Sequence, residues 1–188
     1  MTQQPAAPIR DLVKQAEQYA VSARIAFVDM LGTLDGLVAK AQSAGLGDDV
    51  LEARLAEDMF HLELQLRVAL NQALLALQQV GGEAVPLETE AYRSLEEVRE
   101  RIAAVRSRVE ASDTSSWLAP DDEVDLTLPN GVRLVMSAEE DIRDWILPNF
   151  YFHVTMAYAL LRRAGLEIGK MDFLLHMERH IVPSTRKS

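Results

Sequence analysis

Apolar residues recur every three or four positions over most of the chain and every second position over one short stretch. From about Pro8 to Ala44, the residues Ile9, Leu12, Val13, Ala16, Ala20, Ala23, Phe27, Met30, Leu34, Leu37, Val38 and Ala41 fall at helical steps, which predicts a long amphipathic helix. Gly32 and Gly36 weaken its second half. Gly45-Leu46-Gly47 supplies a stop, because glycine readily takes the left-handed cap. A second helix is predicted from Asp48-Asp49 onward. Asp49 and Glu52 have capping-box spacing, and Leu51, Leu55, Met59, Leu62, Leu66, Ala69, Ala73, Leu77 and Val80 form a near-heptad seam that Gly81-Gly82 ends. A third helix is expected from about Glu88 to Ala111, with Ala91, Leu95, Val98, Ile102, Val105 and Val109 as its stripe. Its other faces are crowded with Arg and Glu, which predicts a solvated surface with local ion pairs.

The period then shortens. Val124, Leu126 and Leu128 alternate with Asp125 and Thr127, Pro129-Asn130-Gly131 follows, and Val132 to Met136 is apolar again. Asn-Gly between such runs predicts a hairpin, since both residues tolerate positive φ, and a lone hairpin must lie on the helices to be stable. Ser137 and Glu140 have capping-box spacing. They predict a short helix to Leu147, with Pro148 in the first turn of a fourth long helix ending near Arg163 and Gly165. That helix is unusual. Phe150, Val154, Ala157, Leu161 and Ala164 form one apolar face, Phe152, Met156 and Leu160 lie largely on another, and the polar arc holds only Thr155, Arg162 and Arg163. A helix apolar nearly all round is buried on more than one side. It is expected either to sit centrally or to meet a second subunit, making homodimerisation through this helix and the hairpin a natural expectation.

Composition narrows the class. The chain has 188 residues, 48% of them hydrophobic and 26% charged, and no cysteine. This size and apolar content suit one globular domain that folds without disulfides or metal. The absence of cysteine removes thiolate nucleophiles and Cys-based metal sites, and fits a reducing cytoplasm. The net charge of −10 repels phosphate backbones, so nucleic acid is not expected as a partner. The N-terminus lacks the basic start and apolar core of a signal peptide. The most apolar run, Trp145 to Leu161, is interrupted by Pro148, Asn149, His153 and Thr155 and is too short to span a membrane. The domain is expected over 1–175. The residues 176–188 read as a basic, solvated tail, with Arg179, Arg186 and Lys187 prominent.

Polar residues near apolar stripes are the candidates for chemistry. His153 lies at the edge of the second apolar face, where a neutral, hydrogen-bonded histidine is the default. On the predicted second helix, Asp58 and Gln65 lie about 60° and 80° from the stripe centre at about 100° per residue. A carboxylate there needs a partner, so Asp58 is expected to cap a chain end or to pair with His153. His176 and His180 have the i,i+4 spacing of a helical ligand pair, without a third ligand. Gly165-x-x-x-Gly169-Lys170 is one residue short of a P-loop and follows a helix instead of a strand. Lys170 and Asp172 are expected to dock the chain's end onto the bundle.

Leu55-Ala56-x-Asp58-Met59, Gln65, Leu147-Pro148-Asn149-Phe150-Tyr151-Phe152-His153, Ala157-Tyr158-x-x-Leu161-Arg162 and Gly165-x-x-x-Gly169-Lys170-x-Asp172-Phe173-Leu174 together resemble an uncharacterised bacterial and fungal domain family of the DinB/YfiT-like superfamily. The resemblance implies an all-α, DinB/YfiT-like four-helix bundle, commonly dimeric, here with a small β-hairpin between the third and fourth long helices. That superfamily's usual metal site takes one histidine from the second helix and a His-x-x-x-His pair from the last. His61 and His153 match two of these positions, but Ala157 stands at the third. Two imidazoles leave the site open unless Asp58 or Glu57 joins. The resemblance therefore implies a non-catalytic or vestigial member that binds no cofactor, forms a cytoplasmic homodimer and holds a small ligand among Asp58, Gln65, Asn149, His153 and Tyr158. The alternative is a metal-dependent transferase or hydrolase using His61 and His153.

Overall fold

The computed structural model describes residues 9–182, with side chains from residue 18 onward. The expected core side chains of Ile9, Leu12, Val13 and Ala16 lie outside the described side chains, and Arg186 and Lys187 lie outside the described residues. Helix α1 (Ile9–Ser43) carries the predicted stripe, and Ala20, Ala23, Phe27, Met30, Leu34, Leu37, Val38 and Ala41 are all buried. It ends as its glycine predicts: Gly45 has φ +76°, its N–H donates to Gln42 O, and Leu46 N–H donates to Ala41 O. This is the paired bonding of a Schellman cap.

Helix α2 (Leu62–Gln79) begins well after the expected start at Asp48. Asp48–Glu52 forms only a 3-10 turn, and residues 53–61 are a loop. This early part of the seam is not helical: Leu51 is buried in the 3-10 turn, but Leu55 in the loop is 41% exposed and neighbouring Phe60 is 47% exposed. The Asp49–Glu52 box does not form, and Asp48 instead accepts the Leu95 N–H at 2.8 Å. Helix α3 (Leu95–Ala111) also starts later than its period suggests. The Asn71 amide holds both backbone groups of Glu88, keeping that segment non-helical, and Ser94 caps the helix by accepting from Glu97 N.

Strands β1 (Glu123–Thr127) and β2 (Arg133–Ser137) pair antiparallel, with Val124 opposite Met136 and Leu126 opposite Leu134. The turn differs from the Asn-Gly expectation. Gly131 N–H donates to Leu128 O, and only Gly131 takes positive φ, at +85°. Pro129 at the second turn position fixes a negative φ, which excludes the type I′ turn and leaves a type I turn followed by a left-handed glycine.

Ser137 and Glu140 form the predicted capping box. No break follows it. α4 (Ala138–Glu140), a π-helical segment (Asp141–Ile146) and α5 (Leu147–Arg163) run on with helical dihedrals throughout. Pro148 has no N–H to donate and would clash in a regular turn. The wider turn absorbs it: Leu147 N–H reaches back five residues to Ile142 O, and the Asn149 side chain donates to Trp145 O. Helix α2 packs along α5 and α1 along α3, and α1–α5 and α2–α3 contacts close a four-helix bundle, with Phe27 edge-on to Phe150 at its centre.

The short α6 (Lys170–Phe173) and a 3-10 turn (Leu175–His180) lie back along α1. Asp172 pairs with Lys40, Thr33 Oγ1 donates to Phe173 O, and Arg179 binds Asp29 through two bonds of 2.9 and 3.0 Å. The docking role expected for Asp172 is thus realised, and Arg179, though exposed, is tied to α1 by Asp29. Leu175 comes close to Gly36, where a Cβ would sit 2.9 Å from a Leu175 methyl and displace that side chain. His176 and His180 do not form an α-helical pair. With three residues per turn, i and i+4 diverge by about 120°. No helix among the described residues is long and apolar enough to cross a membrane.

Candidate functional site

Helices α2 and α5 bring Gln65 and His153 together, although they are 88 residues apart in sequence. Both are buried, 1% and 7% exposed. Gln65 Nε2 donates to the Phe60 carbonyl at 3.2 Å, which can only accept. The amide orientation is therefore fixed, and Gln65 Oε1 faces His153 Nδ1 at 2.7 Å. Nδ1 must carry the proton and donate it. Nε2 is left as a lone pair with no partner among the described residues, and it retains contact with solvent. Burial pushes the imidazole pKa down to about 4, so the ring is neutral. Phe60 stacks on it at 6.3 Å and Phe152 meets it edge-on at 5.2 Å. Phe152 is 53% exposed. The result is a fixed, neutral acceptor in an aromatic surround near the surface.

The other expected site residues do not converge on it. Asp58 is exposed in the loop before α2 and has no hydrogen bond or ion pair among the described residues, so its expected pairing with His153 is replaced by Gln65. Asn149 lies one turn before His153, but its amide serves the Trp145 carbonyl. Tyr158 accepts from Arg162 at 2.9 Å and packs against Phe173, on the side where the chain's end docks.

His61 sits at the N-cap of α2 in a separate network. Arg54 can only donate, so His61 Nδ1 accepts from it at 3.3 Å, while Nε2 lies 3.2 Å from Glu63 Oε2. Glu63, 2% exposed, also holds Arg67 and the Tyr92 N–H. Both His61 nitrogens are thus engaged, and a guanidinium stands beside the ring. Ala157 is fully buried in the bundle. Among the described residues no three His, Cys, Asp or Glu side chains gather as a metal-binding group. The donor set does not fit the three-histidine centre of the superfamily.

A further polar group escaped the sequence reading. Asp141, the first residue of the π segment, is 0% exposed, and neither carboxylate oxygen has a partner among the described residues. Burial raises its pKa to about 6. Its signal was present: it lies three residues after buried Ala138, on the inward side of the new helix.

Comparison with known proteins agrees with the resemblance drawn from the sequence. The family model described as a domain of unknown function, DUF1993, matches residues 19–174. The chain is also similar to a DinB family member protein from Shewanella denitrificans, known from its crystal structure. The two are 25% identical with a TM-score of 0.70, over 97% of this chain and 99% of that one. No curated protein matches the chain.

Proposed function

For a chain that belongs to the DUF1993 family and has the DinB-like helical fold, we propose a non-catalytic binding role centred on His153. The carrying observation is the Gln65–His153 bond, which leaves a neutral Nε2 acceptor without a partner among the described residues, beside Phe60 and Phe152. Such a site suits a small, flat, largely apolar ligand with one hydroxyl or N–H donor. An anion would find no cation at this imidazole, and a metal ion would find a single ligand. A cytoplasmic setting belongs to the same reading and is supported by the lack of cysteine.

Phenol and anisole test it, since they share a ring and differ in the donor. Saturable phenol binding that moves the His153 Nε2 resonance, at least about tenfold tighter than anisole, is the expected result. Equal binding of the two, or phenol binding retained in His153→Leu, would overturn it.

A homodimer through α5 and the hairpin is the second reading. Tyr151 and Phe152 on α5, and Val132 and Val135 on the hairpin, are 38%, 53%, 48% and 52% exposed, more apolar edge than a small ligand covers. Sedimentation at micromolar protein should give a dimer that Phe152→Glu dissociates, and a clean wild-type monomer would sink this reading. The metal-dependent alternative would require His61 to release Arg54 and Glu63. Stoichiometric zinc or nickel in untagged protein, lost in His153→Ala, would favour it over the binding role.

A further inference from the structure

The π-helical segment holds a group that the His153 site does not use. Asp141 is sealed from solvent with both oxygens unpaired. A buried carboxylate without partners is stable only as the neutral acid. No cation faces it. From α1 it is faced by Tyr19, whose hydroxyl donates to Leu118 O at 2.6 Å. Helix α2 has no charged residue after Arg67, and α5 has no acid, Lys or Arg before Arg162. Asp122, in the loop before β1, and Glu139 on α4 face the same tyrosine, and both are acids. Glu140 is engaged by the Ser137 cap, and Arg143 is taken by exposed Asp144.

The turn itself departs from regular helix. It is the one widened stretch in an otherwise α-helical run, placed ahead of Pro148, and such turns recur at functional positions. Its N-terminal side is also the root of the hairpin: Ala138 N–H donates to Asp122 O and Glu139 N–H to Pro120 O. Freeing the Asp141 carboxylate to water would loosen both.

We propose that the proton on Asp141 governs closure of the π turn. The closed turn keeps Asp141 as the neutral acid. When the turn and hairpin root open, the O–H bond breaks, the proton passes to bulk water and the carboxylate becomes hydrated. Between the ordinary carboxylate range and pH 6, the closed form is protonated and the open form is not. The opening equilibrium therefore rises about tenfold per pH unit. The separation between 3.8 and about 6 corresponds to about a hundredfold in all.

Hydrogen exchange on the full chain from about pH 4 to 7.5, corrected for intrinsic rates, tests this. The amides of residues 138–147 should open about a hundredfold more readily at neutral pH than at pH 4, ahead of those in α2 and α3. Asp141→Asn should flatten that dependence. A flat wild-type profile, or the same rise in Asp141→Asn, overturns the proposal. If the variant does not fold, the Asp141 carboxyl carbon is titrated in the wild type. A midpoint above about pH 5 supports the proposal and one below it overturns it.

Discussion

Replacing Gln65 by leucine isolates the interaction that fixes His153. Gln65 spends its oxygen on His153 Nδ1 and its nitrogen on the Phe60 carbonyl, and it is 1% exposed. Leucine fills much of the same space but offers neither group, so a sealed imidazole nitrogen and a loop carbonyl lose their partners together. An orphaned buried polar group costs about 1–3 kcal/mol. The imidazole softens the loss by moving its proton to Nε2, which meets solvent, so about 2 kcal/mol is expected. For a chain of this size that is a fall in Tm of roughly 4–8 °C. His153→Leu orphans the glutamine oxygen and should cost a similar amount. The double variant removes both ends and should lose less than the sum, with a coupling of about 1–2 kcal/mol. Urea unfolding of all four proteins, with unchanged m-values, measures the cycle. Additivity within about 0.3 kcal/mol would refute the claim that the pair is one buried unit.

Ser94→Ala removes the oxygen that accepts Glu97 N–H at 3.1 Å at the start of α3, and chemical unfolding should show a loss of about 1 kcal/mol. Gly165→Ala forces a side chain into φ +96° at the end of α5 and should cost about 1–2 kcal/mol by the same measurement. His153 has its folded pKa below the ordinary value of 6.5, so the unfolded chain takes up its proton first on acidification. Stability should drop by about 1–3 kcal/mol as pH falls from 6.5 toward 4, and His153→Gln should lack that component. Asp141 acts with the opposite sign over an overlapping range, because its folded pKa is raised and its contribution is full at low pH and lost as pH rises through about 6. In Asp141→Asn the acid-side fall from His153 should therefore become steeper, as thermal unfolding at each pH would show.

The parts of the fold visible in the sequence are those that a few neighbouring residues decide. The stripe from Ala20 to Ala41 buries as its period requires, and the glycine after α1 caps as glycine does. The Ser137–Glu140 box forms because both its bonds lie within one turn. The errors arise where a distant partner outbids a local pattern. Leu55 and Met59 continue the α2 seam in sequence, but they lie in the loop ahead of the helix. Asp48 was read as opening its own helix and is used instead by Leu95 N–H on another. Asn71 likewise holds Glu88 out of α3, which no periodicity in either segment announces.

The candidate site divides along the same line. His153 and Gln65 were each legible as polar residues beside an apolar stripe, because burial alone marks such a position as one needing a partner. Which partner each would find was not legible. In sequence Asp58 is the natural mate for an imidazole, since charge complementarity is visible there, whereas the choice of an amide depends on a helix that starts at Leu62 instead of Asp48. That late start places Phe60 and its carbonyl just ahead of α2, where the carbonyl pins the Gln65 amide and the ring lies on His153. With a carboxylate at Nδ1, the imidazolium would be favoured and the site would hold charge. With an amide oriented by a backbone carbonyl, the ring stays neutral and Nε2 remains an acceptor. One shift in where a helix begins thus decides between a charged pair and a neutral binding group, and the chemistry at His153 follows from loop 53–61 as much as from the histidine itself.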